Sequence, residues 1–249
     1  MRNLLIAITV ALASHGAHAS NQCRVSLQSE VRVDGEQVKV YQQGNPKVLI
    51  DENNNLFIDG KQIELDAMQE EAINSYREKM NHYLPKAKQI AQDGVDLAKE
   101  IVDDISTSFD NSEAFDNVRT AIDQFYADLE ARYYQEGEFR LKEQAFADVW
   151  SNWQANFDAM LDNFNSEFFS SAFTALSEKM KAEGGINLTE LKEKMAELKA
   201  SLESKVSEES EQIQQQAEQY CDDLEGVATE EQQLHEKIPQ LKNYRVFTI

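Results

Sequence analysis

The feature that most constrains this chain is a change of hydrophobic period at Leu65-Asp66. Before it, apolar residues alternate with polar ones, as a half-buried strand requires. After it they recur at three- and four-residue spacings, as one face of a helix requires. Val25 and Leu27, Val31 and Val33, then Val38 and Val40 keep the period of two, with Asp34-Gly35 as a turn. Val48-Leu49-Ile50 and Leu56-Phe57-Ile58 flank the polar loop 51–55, and Asp59-Gly60 leads into Gln62-Ile63-Glu64-Leu65. Asp-Gly between apolar runs is a strong hairpin signal, because both central residues need positive φ. Four to six antiparallel strands are expected.

Asp66 with Gln69 forms a capping box that opens the helical part. Met68, Ile73, Tyr76, Met80, Tyr83, Ala87, Ile90, Leu97, Ile101 and Ile105 share a face, and Pro85 restarts the helix near Leu84. A second helix follows Asn111-Ser112, with Phe115, Val118, Ile122, Phe125, Leu129 and Tyr133 on one side and Gly137 as its break. A third is expected from about Glu138 to Ala182, stopped at Gly184-Gly185. Asn187 and Glu190 open a fourth, with Leu188, Leu191, Met195, Leu198, Leu202 and Val206 on its face. From Glu203 to Glu231 the stripe thins among acidic residues, so this segment is expected to add little core. Thr229 and Gln232 suggest a short restarted helix ending before Pro239. Residues 244–249 read as a strand, which must pair with the N-terminal sheet because a lone strand is unstable. The expected class is α+β. A small antiparallel sheet from residues 20–65 and the C-terminal strand, 238–249, encloses a long-helix bundle over 66–237.

The first nineteen residues read as an address. Arg2 precedes a short apolar run, Leu4 to Ala13, and Ala17-His18-Ala19 fits a signal-peptidase site cut after Ala19. The run is too short for a permanent membrane anchor. Ser20-Asn21-Gln22 lacks the residues that lipidation at Cys23 would need. Cys23 and Cys221 are the two cysteines of the chain, and an oxidising compartment would join them as a disulfide. A formal charge of −21 repels nucleic-acid phosphates and anionic membrane surfaces, so no nucleic-acid binding is expected, and no run after the leader is long and apolar enough for membrane insertion.

The chemistry-bearing residues are sparse. Beyond the leader, His82 and His235 are far apart and lack His or Cys partners at helical spacing, so no zinc site or triad is expected. Asp51, Asn53 and Asn55 imitate a calcium loop that then fails at Leu56 and Gln62. No catalytic residue, cofactor or metal is assigned. Phe146, Trp150, Trp153, Phe157, Met160, Phe164 and Phe168 form an aromatic stripe, with Phe139 leading in and Phe169 and Phe173 widening it. Such a stripe is either the bundle core or, where open, a hydrophobic partner groove at Phe146, Trp150, Trp153, Phe157, Phe164 and Phe168.

Cys23-Arg24-Val25-Ser26-Leu27, Leu56-Phe57-Ile58-Asp59-Gly60-Lys61, Tyr76 with Leu84-Pro85, and Ile238-Pro239-Gln240-Leu241-Lys242-Asn243-Tyr244 with Phe247 together resemble the YggN-like family of proteobacterial periplasmic proteins. The resemblance covers both ends well and the middle weakly. It implies a Gram-negative periplasmic location and carries over no catalytic residues. The expected function is a non-catalytic binding, adaptor or chaperone-like role for an unidentified protein or envelope component. The alternative is a carboxylate-based envelope hydrolase.

Overall fold

The computed structural model describes residues 23–108, 112–142, 153–182, 184–185 and 187–249, with side chains given except at 108, 112, 114, 153–167, 203 and 206–210. The leader, residues 1–19, lies outside the described residues. In chain order the strands are β1 (Ser26–Leu27), β2 (Glu30–Val33), β3 (Val38–Gln42), β4 (Asn45–Ile50), β5 (Leu56–Ile58) and β6 (Lys61–Ile63). The helices α1 (Ala67–Tyr83), α2 (Lys86–Ser108) and α3 (Asp116–Tyr133) follow. Then come β7 (Tyr134–Gln135), β8 (Glu138–Leu141), α4 (Trp153–Ala182), α5 (Leu188–Lys237) and β9 (Phe247–Thr248). The class is α+β.

The larger sheet has seven antiparallel strands in the order β6-β5-β4-β3-β2-β8-β7. Alternation decides which face is buried: Val31, Val33, Val38, Val40, Val48, Ile50, Leu56, Phe139 and Leu141 all enter one core. Their neighbours Arg32, Lys39 and Arg140 line the opposite face, where Glu138 pairs with all three. β9 pairs with β1 in a separate two-stranded sheet, Leu27 opposite Phe247. The C-terminal strand therefore returns to the N-terminal segment, as expected, but caps β1 without joining the larger sheet.

The last two strands of that sheet come from the middle of the chain. Tyr134 to Leu141 is a hairpin, and Phe139 pairs with Val33. A helix was expected to start at Glu138, so this part of the 66–237 helical region is corrected. Glu136 and Gly137 have φ of 57° and 83°. Two successive positive φ values make the tight turn of a hairpin, and here Glu takes the place usually held by Asn or Asp.

The helices begin and end as their sequence signals require. Asp66 accepts from the backbone N–H groups of Met68 and Gln69, while the Gln69 side chain accepts from the Asp66 N–H. The chain breaks at Leu84-Pro85 before α2. Asn187 accepts from the N–H groups of Thr189 and Glu190 to open α5. Met68 and Leu188, placed on apolar faces by spacing, are 72% and 75% exposed. Both sit in first turns, where the face has not yet met the core.

α5 is one unbroken helix of 50 residues, about 75 Å long at 1.5 Å per residue. No restart occurs at Thr229. The helix threads three separate apolar clusters. Leu224, Val227, Ala228 and Leu234 pack into the sheet core with Ile73, Tyr76 and Met80 of α1. Leu198 and Leu202 join a helical core with Val95, Ile101, Val102, Ile105, Phe115, Val118 and Ile122. Leu191 meets Leu176 and Met180 of α4. The segment expected to add little core thus supplies buried residues from Cys221 to Glu231. Apolar residues at 224, 227 and 228 suffice there because α1 and the C-terminal tail cover them from two sides.

Candidate functional site

The aromatic stripe is divided by the fold. Phe146 and Trp150 lie outside the described residues. Trp153, Phe157 and Phe164 lie on α4, and their side chains lie outside the described ones. Phe168 is fully buried, with its ring 5.4 Å from Phe115 and 5.5 Å from Phe169. It belongs to the helical core, the first of the two readings of the stripe, and lines no groove. Phe139 is a strand residue of the sheet core. Among the described side chains, the exposed phenylalanines are Phe125 on α3, 39% exposed, and Phe173 on α4, 50% exposed. Their helices pack against each other. Phe125 follows buried Ile122 by one turn, and Phe173 follows buried Ala172 by one residue, so each projects at the margin of the helical core.

The two chain ends are fastened together on α5. Cys23 and Cys221 are hydrogen-bonding neighbours, and that contact, with burial, raises the Cys221 thiol. One turn along, the Arg24 guanidinium donates to both oxygens of Glu225, at 3.1 and 2.9 Å. β1 then meets β9, and the Gln28 N–H donates to the Val246 carbonyl at 2.8 Å. Residues about two hundred positions or more apart share this clasp, and the sequence pointed to it through the two cysteines and the C-terminal strand's need for a partner.

Beneath the clasp lies a buried polar group that sequence reading missed. Glu231 is 2% exposed, and its two oxygens accept from the backbone N–H groups of Val246 and Phe247 at 2.7 and 2.8 Å. The Tyr76 hydroxyl donates to Oε1 at 3.3 Å. Glu231 thus receives the donors of the chain's last strand, which would otherwise be buried without partners. Burial pushes its carboxyl up to about 7, against the pull of those donors. His235, one turn on and 5% exposed, has Nε2 at 3.9 Å from the same carboxyl. Burial, then Arg245 and Lys242, push the imidazole down to about 4. An ion pair would move both groups the other way, so the two are neutral neighbours near pH 5.5. The arrangement fixes the C-terminal strand. Glu231 offers both oxygens to the backbone of the C-terminal strand.

The remaining candidates are structural. Asp51 Oδ1 accepts from the N–H groups of Asn53 and Asn55, and its Oδ2 accepts from the Asn55 amide, which closes a local turn. Among the described residues no group of three His, Cys, Asp or Glu side chains could hold a metal ion. Among them, too, no helix is long and apolar enough to cross a membrane.

A family profile described as protein of unknown function (DUF2884) matches residues 23–247. Uncharacterized protein YggN from Escherichia coli strain K12 is 30% identical over 105 residues, which is 42% of this chain and 44% of that protein. The proteins of the same name from Escherichia coli O6:H1 and O157:H7 match with the same figures. The chain thus spans less than half the length of the curated relatives it matches. No solved structure matches it.

Proposed function

The chain belongs to the DUF2884 family of proteins of unknown function, and on that premise we propose that it is a non-catalytic binding protein of the periplasm. It is exported with its leader cut after Ala19, and a Cys23–Cys221 disulfide closes the clasp. The hydrogen-bonding contact between the two thiols supports that pairing, as does the leader-like start of the sequence.

The observation that carries the binding role is the division of the apolar interior into a sheet core and smaller helical cores along α5. The helical cores are thin enough to leave Phe125 and Phe173 at their margin. Large exposed aromatics beside a core favour contact with an apolar partner segment. The occupant is a polypeptide with apolar side chains, held along α3 and α4. The acidic surface repels anionic partners and opposes self-association of the long helices' exposed faces.

In vivo photo-crosslinking tests this reading, with the probe at Gln124 and at Thr174, beside the two aromatics. A discrete partner band from both positions supports an adaptor, and a broad set of client proteins supports a chaperone-like role. Absence of crosslinks at both positions would remove the binding reading.

A further inference from the structure

Between its two larger cores the molecule narrows to a neck of helices. The sheet core and the helical core have no residue in common. α2, α3 and α5 pass from one to the other. Lys88 of α2 pairs with Glu130 of α3 at 2.6 Å, and Gln216 of α5 donates to Asp93 of α2 at 3.1 Å. Residues 86–94, 124–132 and 211–220 therefore lie side by side. None of the residues in these stretches is buried. Burial resumes just outside them, at Leu84 and Val95 on α2, Ile122 on α3 and Cys221 on α5.

The contacts that lace the neck are polar. Lys86 pairs with Asp223 at 2.9 Å, and Asp93 accepts from Gln89 as well as from Gln216. The Gln216 amide oxygen is shielded from water without a hydrogen bond. The larger apolar side chains at this level, Ile90, Leu129 and Ile213, stay partly exposed. Close-packed apolar cores resist deformation, whereas half-exposed ion pairs are weak and re-form at small displacements. Gly94 sits inside α2 at the same level, where an added Cβ would meet nothing within 4 Å. No close approach calls for a glycine there, and it loosens the helix.

We propose that this neck is a hinge, on which an arm built around the helical core swings as a unit against the sheet body. The arm is held rigid by Phe115, Val118 and Phe168, and the body by Ile73, Met80 and Leu224 packed on the sheet. Every helix stays hydrogen-bonded through the motion. Residues 211–220 span about 15 Å at 1.5 Å per residue. Long helices commonly curve with a radius of about 60–100 Å, so a change from straight to curved over this stretch turns the arm by about 10°. The start of α5, about 35 Å farther along, then moves by about 6 Å. The swing carries Phe173 with the arm and so changes the reach of the aromatic margin. The hinge itself does not depend on that margin binding a partner.

The test is double electron–electron resonance on the full mature protein. Nitroxides attached to keto-bearing unnatural residues leave Cys23 and Cys221 untouched. Gln62 and Glu78 are exposed positions of the body, and Ser170 and Glu193 are exposed positions of the arm. The pairs Gln62–Glu193 and Glu78–Glu193 cross the neck, while Gln62–Glu78 and Ser170–Glu193 stay within one unit. The expected result is a cross-neck distance distribution broader than the within-unit ones by about 4 Å or more. Asp93→Leu with Gln216→Leu joins Ile90 and Ile213 in an apolar seam and should narrow the cross-neck distributions while leaving the within-unit ones unchanged. Gly94→Ala, which meets no neighbour, should narrow them in the same direction and serves if the double variant fails to fold. Cross-neck distributions as narrow as the within-unit ones would overturn the proposal. So would cross-neck widths that neither folded variant changes.

Discussion

The pair Glu231 and His235 makes a prediction whose size follows from the two burials. The Glu231 carboxyl rises from 4.5 to about 7, and the His235 imidazole falls from 6.5 to about 4. At about 1.4 kcal/mol per pH unit each change is worth about 3 kcal/mol. The signs are opposite. Glu231 contributes stability that is fully present below pH 4.5 and is lost as pH rises through about 7. His235 contributes stability that is fully present above pH 6.5 and is lost as pH falls through about 4. Between pH 4.5 and 6.5 the unfolded pair holds one proton, on histidine, and the folded pair holds one, on glutamate. The two slopes cancel, and the pair adds no pH dependence in this window. Either substitution alone uncovers the other slope. Relative to wild type, His235→Gln should lose about 2–3 kcal/mol between pH 4.5 and 6.5 as pH rises. Glu231→Gln should gain a similar amount over the same interval, on top of a constant cost of about 1–3 kcal/mol for a backbone donor left unpaired. Urea unfolding at several pH values, each variant minus wild type, removes the shared contribution of the other carboxylates. Variant curves that both run parallel to wild type would refute the reasoning.

Three further outcomes follow from the clasp, the helical core and the hairpin. The proposed Cys23–Cys221 disulfide predicts that protein recovered from the periplasmic fraction and denatured without reductant shows no free thiols to a thiol reagent. Reduction should then lower stability by about 3–5 kcal/mol, the order expected for a loop of this length. Phe115→Ala should cost about 3–5 kcal/mol in urea unfolding, because Phe115 is fully buried against Phe168 and its neighbours cannot refill the space. Gly137→Val should cost about 1–3 kcal/mol by the same assay, since a β-branched residue is strained at a φ of 83°.

Much of the fold was legible where local chemistry decides it. The Asp66 capping box, the break at Pro85, the Asn187 cap and the strands up to Ile63 all appear in the structure as their residues imply. What escaped was set by distant contacts. Glu138-Phe139-Arg140-Leu141 has only four residues of alternation, too few to outweigh the helical pattern on either side. It becomes a strand because Val31 and Val33 of β2 offer a free edge. Cys221 to Glu231 looks like a solvated acidic helix. It is buried because α1, β1 and β9 converge on it, and one of its acids, Glu231, is the group that holds β9. A buried glutamate has no sequence signature among so many exposed ones. The aromatic stripe illustrates the same limit: spacing put Phe168 and Phe173 on one band, and packing buried the first while leaving the second half exposed.

The central claim is that the exposed aromatics of the helical region bind a partner, and a paired substitution tests it most directly. Phe125→Ser with Phe173→Ser should shift urea stability by only about 1 kcal/mol, because both rings already reach solvent. The same variant should lose the photo-crosslinks formed from Gln124 and Thr174 in cells. Loss of the crosslinks with stability retained is the result this account predicts. Crosslinks of undiminished yield from the doubly substituted protein would contradict it.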